Sequence, residues 1–450
     1  MNKVKNFLRN INLRSFTIIV SAILTLNFFF NPLGIIYHKD FKYANWDKGD
    51  ERMAMHRLQK SWNDGVFSDG MFPGSYGPDT VFFEGVFVSP DYMKENKFDL
   101  YISQPGGQLF IWSVLTKYLP LGIYAKYHIA TFFACVLASL LMALLLAFIY
   151  FNVSREGALF LLGTFIISPV MLSFVHSLWW SYFAFLLPVL LLYQRGSSEK
   201  QVFVSILLLT LFKYFLNGFE FITSYFGSVF LVLLIVYARN NVQVNFRRLV
   251  NWGTAMFVAT LTCLSLLFVQ ISLVRGPKAA IERIEYSFLK RSGSLGGISK
   301  QLEDKYNLKE SIYAQSLNSS LSQVLYDYNT KDVFKLPARI RYGLYKYKRI
   351  PFQYWHLALL GIIAGLAIYL INRKIRYLAL VLLSYLLSIS WYLVFKGHAF
   401  IHKPLDEVVM YMPFIPVVMV VIGLAVKELV QYFRRPSLET DKLSNTLETP

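Results

Sequence analysis

The chain has 450 residues, of which 55% are hydrophobic, 17% are aromatic and only 16% are charged. Soluble globular proteins carry about 25% charged residues, so this composition, with a mean hydropathy of +0.43, excludes an ordinary soluble domain and favours a chain embedded in lipid. The net charge of +18 does not indicate a nucleic-acid partner, because the basic residues form short clusters between apolar runs and no continuous stripe.

The N-terminal segment has the features of a signal anchor. Its apolar run, 16–37, is longer than the core of a signal peptide and is followed by no small-residue cleavage motif. We therefore expect it to be retained as the first span. Two cysteines, Cys135 and Cys263, lie inside later apolar runs, which predicts buried thiols and no disulfide framework.

Apolar runs account for most of the remaining chain. A helix needs about 20 apolar residues to cross a bilayer, and the fourth and fifth runs are shorter than the others, so the predicted count of about ten spans varies by one or two. The fold class predicted is all-α, a polytopic transmembrane helical bundle. The spans are expected near 16–37, 127–151, 157–175, 180–193, 201–216, 220–238, 250–273, 354–371, 377–395 and 408–430.

The positions of Lys and Arg orient these spans. Cytoplasmic loops carry an excess of basic residues, and with ten spans every predicted inside segment is basic. We expect a multi-pass protein of a bacterial-type cytoplasmic (inner) membrane with a cytoplasmic N-terminus. Residues 1–430 form one transmembrane domain with outside loops 38–126 and 274–353, followed by a disordered cytoplasmic tail, 431–450. The inside loops contain Arg155; Arg195 and Lys200; Arg239, Arg247 and Arg248; and Arg373, Lys374 and Arg376.

The first outside loop presents an acid pair, Asp50 and Glu51, at the start of an amphipathic helix that is predicted to lie at the membrane surface. Carboxylates in a first helical turn interact favourably with the helix dipole, which explains them without any chemistry. The functional interpretation is a general base or cation ligand at the mouth of a membrane cavity. Further along the same loop, Gln104 and Gln108 flank a Pro-Gly-Gly turn and are predicted to contact substrate.

This arrangement of spans, long outside loop, Asp-Glu pair and Gln-Pro-Gly-Gly-Gln turn resembles the GT-C class of membrane glycosyltransferases. The resemblance implies an inverting transferase that moves a sugar from a polyprenyl-phosphate donor to a cell-envelope glycan or lipid acceptor on the non-cytoplasmic face. It also implies that Asp50 is the catalytic base, with Glu51 beside it. Membrane lipids are expected partners, and nucleic acid is not.

The last outside loop offers cations for a lipid-linked phosphate. Lys396, His398 and His402 lie within seven residues of one another, and they are predicted to hold the donor phosphate. Metal ligation by the two histidines together with Asp50 is an alternative, so a divalent cation stays open and no other cofactor is predicted. Lys213 interrupts an apolar run and is expected either to pair with Glu220 or to approach the donor phosphate.

Two other function classes fit parts of the pattern. An O-antigen polymerase or ligase also has ten or more spans, but it would rely on arginine and histidine in the late outside loop. The segment 274–353 has arginines and no histidine. A polysaccharide or lipid transporter predicts ionisable residues at mid-membrane and internal repeat symmetry, of which only Lys213 and Glu220 hint at the former.

Overall fold

The computed structural model describes residues 12–36, 50–77, 88–194, 198–292, 319–333, 335–339, 345–349, 352–402 and 405–447. Within these ranges, the side chains of residues 50, 289, 290, 292, 335–339, 345–349 and 435–447 are not described. The predicted donor contacts Lys396, His398 and His402 all lie inside the described ranges, whereas residues 37–49, directly before the acid pair, lie outside them.

The first half of the chain forms one long N-terminal helix, a compact set of short elements, and then a series of apolar helices. Asn12 caps the first helix by accepting a hydrogen bond from Ser15 N, as expected of an N-cap asparagine. The elements are α1 (Leu13–Phe30), α2 (Asp50–Asp64), β1 (Gly74–Tyr76), α3 (Pro90–Glu95), β2 (Phe98–Leu100), α4 (Gly107–Lys117), α5 (Ile123–Asn152), α6 (Arg155–Ile167), α7 (Pro169–His176), a 3₁₀ helix (Tyr182–Tyr193), α8 (Glu199–Asn217) and α9 (Ile222–Arg239).

The second half of the chain also consists mainly of helices, with one pair of short strands. Its two strands are joined in an antiparallel pair, as are β1 and β2 in the first half. The elements are α10 (Phe246–Arg275), α11 (Pro277–Ser292), α12 (Leu321–Asn329), β3 (Lys335–Arg339), β4 (Tyr345–Arg349), α13 (Tyr354–Asn372), α14 (Arg376–Val394), α15 (Lys396–Ile401), a second 3₁₀ helix (Leu405–Tyr411) and α16 (Phe414–Leu447). The last helix thus continues into the segment predicted as a disordered tail.

The prediction of an all-α, multi-pass membrane protein is confirmed at that level. In the described ranges, seven helices are long and apolar enough to cross a membrane, and the pair α6 and α7, bent by 69° at Ser168, makes an eighth if it forms one span. The predicted count of ten also includes α8 and the first 3₁₀ helix, which are not among these seven helices or the bent pair. The 3₁₀ helix contains Pro188 and has 12 residues, which extend about 24 Å at the 3₁₀ rise of about 2.0 Å per residue.

Close helix packing depends on small residues at one crossing. A Cβ added to Gly423 of α16 would collide with the backbone nitrogen of Gly157 in α6 and lie 2.5 Å from the Gly157 Cα. Small residues let two helix backbones approach in a membrane, where packing replaces the hydrophobic effect as the force between helices. The two glycines therefore fix how closely α6 and α16 approach.

The alternation of helix direction collects the long loops at one end of the bundle. The C-terminal ends of α8, α10 and α14 and the N-terminal ends of α9, α13 and α16 lie there, together with α2, α4, α11 and α15. We call this the loop-rich end. Contacts across it include the hydrogen bond from Arg283 of α11 to Ser103 Oγ at 2.8 Å and the bond from Tyr328 to the Ala399 carbonyl. Both predicted outside loops therefore meet at one end of the molecule.

Helix α2 forms at the predicted place, but it does not lie on the surface with one face exposed. It is packed inside the loop-rich end. Its apolar residues Ala54, Met55 and Leu58 have no exposed area, and Arg57 is 1% exposed. The Arg57 guanidinium donates to the Val66 carbonyl at 3.0 Å. The helix is thus part of the core that supports the candidate site.

Candidate functional site

Glu51 is buried and its carboxylate accepts four hydrogen bonds. The donors are Tyr127 Oη at 2.8 Å, Ser177 Oγ at 2.6 Å and the backbone nitrogens of Leu178 and Trp179 at 3.2 and 3.3 Å. Burial raises the pKa of Glu51, and the hydrogen bonds oppose that rise. Because both oxygens are occupied, this carboxylate fastens the start of α2 to the segment between α7 and the first 3₁₀ helix.

Asp50, the predicted base, is the first residue of α2, and its side chain lies outside the described residues, so its role stays a prediction. The position of its backbone is nevertheless constrained by the neighbouring residue, because Glu51 is tied to segment 177–179. Of the two acids, Glu51 is the one whose contacts are described, and these contacts give it a structural function.

Four charged side chains from distant parts of the chain meet at the loop-rich end. Arg291 Nη2 lies 2.5 Å from Glu220 Oε1, and His398 Nε2 lies 3.1 Å from Glu220 Oε2. His398 Nδ1 lies 3.0 Å from Asp406 Oδ2, which also accepts a 2.6 Å hydrogen bond from the Trp391 indole. We call Glu220, Arg291, His398 and Asp406 the ion cluster.

The ion cluster is buried, and its members stabilise one another's charged forms. Burial alone lowers the pKa of His398, but the carboxylates of Asp406 and Glu220 overcome this and raise it to about 9. Burial raises the pKa of Glu220, but Arg291 and then His398 outweigh that and hold it well below its usual range. Opposite charges are therefore paired within the cluster, which is the arrangement that makes buried charges tolerable.

Lys213 does not join the ion cluster through its side chain. Its ammonium donates to the backbone carbonyls of Gly218, at 2.8 Å, and Glu220. The turn that carries Glu220 also contains two residues with positive φ, Gly218 at 58° and Phe221 at 52°. Lys213 therefore pairs with the backbone of Glu220, in place of the predicted carboxylate, and holds this turn in shape.

Three buried amide side chains surround the same turn, and each uses its nitrogen but not its oxygen. Gln108 donates to the Trp179 carbonyl at 3.1 Å, and Asn217 donates to the Trp180 carbonyl. The Gln104 nitrogen lies 3.5 Å from Glu220 Oε1. Among the described residues, no donor reaches the amide oxygens of Gln104, Gln108 and Asn217 or the second carboxylate oxygen of Asp406.

The remaining predicted phosphate contacts lie at the edge of the cluster. Lys396 is partly exposed, and its ammonium donates to the Ser319 carbonyl at 2.7 Å. The His402 ring stacks on His398 with 4.2 Å between centroids. His398 has carboxylates at both ring nitrogens, which leaves neither nitrogen open to a metal ion. Among the described residues, no three His, Cys, Asp or Glu side chains are arranged so that they could hold a metal ion.

The segment 177–181 connects the Glu51 contacts with the ion cluster. The Trp180 ring stacks on Phe221 at 5.4 Å, and Phe221 in turn meets the His398 ring edge-on at 6.4 Å. On the other side, Tyr101 packs against Trp179 at 5.6 Å and hydrogen-bonds Arg291. Packed aromatic side chains therefore connect the residues that bind Glu51 with the ion cluster.

No known family model matches this chain, and no curated protein matches it either. We therefore infer a function from the chemistry of the ion cluster and the side chains around it.

Sequence reasoning did not identify two members of the ion cluster as site residues. Arg291 is one of several basic residues in a long loop, and Asp406 follows Pro404 at the end of the last one. His398 was predicted from its loop, and Glu220 carried a signal because it interrupts an apolar stretch. Ser177 and Tyr127, which bind Glu51, gave none, because hydroxyl side chains are common in transmembrane helices.

Proposed function

We propose that this protein is a membrane transferase that moves a sugar from a polyprenyl-phosphate carrier to a hydroxyl acceptor at its loop-rich end. One observation carries the proposal: a buried, charge-balanced ion cluster borders buried amide oxygens that lack a hydrogen-bond donor among the described residues. The ion cluster provides a polar environment for an anionic group, and the amide oxygens are suited to hydroxyl groups. A sugar phosphate combines both chemistries.

The amide oxygens favour a polyol ligand. A buried acceptor that is left without a donor costs about 1–3 kcal/mol, and three such oxygens belong to Gln104, Gln108 and Asn217. Sugar hydroxyls are donors of the right kind, and they would recover this cost on binding. Pyranose rings also pack on aromatic faces, and Tyr101 packs against Trp179, whose carbonyl accepts the hydrogen bond from Gln108.

In the proposed reaction the acceptor oxygen forms a bond to the anomeric carbon while the bond from that carbon to the phosphate oxygen breaks. The acceptor proton passes to the Asp50 carboxylate, and the polyprenyl phosphate leaves with the bonding electron pair. The leaving group needs nearby cations more than a strong acid. Lys396 and His402, at the partly exposed edge of the ion cluster, are the residues we assign to that role.

Transfer of label from a polyprenyl-phosphate sugar by the purified, reconstituted full chain tests the proposal. Asp50→Asn is expected to reduce the transfer rate at least about 100-fold, because general-base catalysis contributes on the order of 10²–10⁴-fold. Asp91→Asn is the matched control, since Asp91 is exposed on α3. Full activity of the Asp50→Asn protein would refute the base assignment. Failure of any polyprenyl-phosphate sugar to bind the wild-type chain would refute the transferase proposal itself.

A lipid or polysaccharide transporter is the second candidate, because ionisable groups buried in a helical bundle are also typical of proton-coupled carriers. The ion cluster would then bind and release a proton during transport. Liposomes that contain the chain distinguish the two: a transporter moves the labelled lipid between leaflets without changing it, whereas a transferase produces a new glycosidic bond. Movement without a new product would favour the transporter.

A further inference from the structure

A cavity lies between the helices and extends from Tyr411 and Pro413 to Arg239 and Arg376, which lie at the end of the bundle opposite the loop-rich end. Its volume is about 400 Å³, within the range of roughly 300–1,000 Å³ found for ligand pockets. Segments of α5, α6, the first 3₁₀ helix, α9, α14 and α16 form its wall. Most of the wall is apolar, including Phe148, Phe165, Pro188, Val189, Ile235 and Leu424.

The mouth of this cavity is cationic. Arg239, at the end of α9, and Arg376, at the start of α14, both line it, and both are exposed. No Asp or Glu is among the lining residues, and neither guanidinium forms an ion pair with any residue that the structure describes. The two positive charges are therefore not neutralised by the part of the protein seen around the cavity.

Aromatic rings hold both guanidinium groups in place. Arg239 lies over the Phe148 ring at 5.3 Å, and Arg376 lies over the Tyr377 ring at 5.1 Å and donates to its hydroxyl at 3.4 Å. Stacking of this kind leaves guanidinium N–H groups available to an oxyanion. The sequence predicts that these two residues belong to cytoplasmic loops, where anionic lipid headgroups are concentrated.

We propose that this cavity is a binding site for an anionic phospholipid, with one acyl chain between the helices and the phosphate on Arg239 and Arg376. The apolar wall of the cavity suits the acyl chain of such a lipid. The two arginines, which have no ion-pair partner among the described residues, suit its phosphate. Basic pockets between transmembrane helices on the cytoplasmic side are known to hold lipid headgroups in this way. This site is separate from the proposed transferase centre and does not depend on it.

The first experiment measures lipid retention by the purified full chain in detergent, using native mass spectrometry. Phosphatidylglycerol and phosphatidylcholine with identical acyl chains are the probes. We expect one tightly retained phosphatidylglycerol and about 25-fold weaker binding to the double variant Arg239→Gln and Arg376→Gln, since each basic residue contributes roughly fivefold. Equal retention of the two lipids, or unchanged retention by the double variant, overturns the proposal.

The chain offers a matched control. Arg155 and Arg373 are also exposed on the predicted cytoplasmic loops, and their guanidinium groups also stack on tyrosine rings, at 5.3 and 5.9 Å, but neither lines the cavity. The double variant Arg155→Gln and Arg373→Gln should bind phosphatidylglycerol as the wild type does. An equal loss in both double variants would show that only general surface charge matters, which contradicts the proposal.

A second experiment on the wild-type chain is independent of whether the variants fold. A phosphatidylglycerol that carries a diazirine near the end of one acyl chain is photo-crosslinked to the protein, and the modified peptides are mapped. We expect labelling of cavity residues such as Val189, Pro416 and Val417. Labelling confined to exposed apolar residues outside the cavity wall, such as Phe257 and Leu370, refutes the proposed position of the acyl chain. Millimolar inorganic phosphate should not displace the lipid, which separates a lipid site from a phosphate site.

Discussion

The carboxylate of Glu51 accepts a 2.6 Å hydrogen bond from the hydroxyl of Ser177, a residue 126 positions further along the chain. This contact joins the first long loop to the broken helix pair α6 and α7 and gives one acid of the pair a structural function.

We predict that Glu51→Gln destabilises the fold by about 1–3 kcal/mol, because an amide group cannot accept the four hydrogen bonds that the carboxylate accepts. Unfolding of the purified chain in mixed micelles, followed by circular dichroism, measures the change. Glu95→Gln is the control, since Glu95 is exposed on α3. If both variants unfold at the same point as the wild type, Glu51 does not anchor α2.

The raised pKa of His398 predicts a dependence of stability on alkaline pH. The imidazolium is favoured in the folded state by Asp406 and Glu220, which raise its pKa to about 9. Its contribution is therefore complete below the ordinary pKa of about 6.5 and is lost as the pH rises through about 9. We expect the unfolding temperature of the wild type to fall by a few degrees across this window.

His398→Gln should remove most of that dependence, because an amide does not titrate in this range. His356→Gln should keep it; His356 stacks on Trp355 at 3.6 Å. Glu220, Asp406, Arg291 and His402 all act on His398 or its partners. Parallel pH profiles for the wild type and the His398→Gln protein would count against a charged imidazole.

A double-mutant cycle measures the pair formed by Glu220 and Arg291. Each single substitution, Glu220→Gln or Arg291→Met, is expected to destabilise the protein by roughly 3–5 kcal/mol, because it leaves buried charge without its partner. The double variant should lose less than the sum, with a coupling of roughly 1–3 kcal/mol. The free energy of unfolding in mixed micelles gives both quantities.

The same cycle on Asp91 and Lys94 provides the comparison. These side chains are 85% and 79% exposed and lie 3.5 Å apart, so their coupling should be below about 0.5 kcal/mol. Additive effects of Glu220→Gln and Arg291→Met, no larger than those of the exposed pair, would be inconsistent with a buried ion cluster.

Gly423→Ala should disturb the contact between α6 and α16. The new methyl group would collide with Gly157 N and lie 2.5 Å from Gly157 Cα, and these are backbone atoms that cannot move aside alone. Overpacking of this kind costs about 1–3 kcal/mol. Thermal unfolding in detergent is the measurement.

Gly163→Ala is the matched control for that substitution. Gly163 also lies on α6, but no atom of the described residues comes within 4 Å of the place that its new methyl group would take. The added methyl group should be neutral or stabilise the helix by up to about 1 kcal/mol. Equal stability of the two variants would mean that α6 and α16 do not pack closely at Gly157.

Much of the architecture could be predicted from local pattern. The runs that contain α5, α10, α13 and α14 were identified because an apolar run of that length has few other stable conformations in lipid. The span count was harder around α8 and the first 3₁₀ helix, since Lys213 and Pro188 interrupt those runs. Whether such a segment crosses the membrane depends on its neighbours.

The candidate site could be predicted only in part. His398 was identified from its loop, and Glu220 was noted as an ionisable interruption of an apolar run. Their direct contact was not predicted, and the expected partner of Glu220, Lys213, instead binds backbone carbonyls. A side chain in the middle of a folded bundle takes its partner from whichever helix packs against it, and single-sequence patterns carry no such information.

The amino-acid sequence by itself determined that this is an all-α, multi-pass membrane protein, because hydrophobicity over about 20 residues is a local property. Only the tertiary structure decided that Glu51 fastens α2 to segment 177–179 and that Glu220 is held between Arg291 and His398. These contacts join residues at least 71 positions apart in the chain. Burial makes them necessary, since charges placed together away from water must neutralise one another.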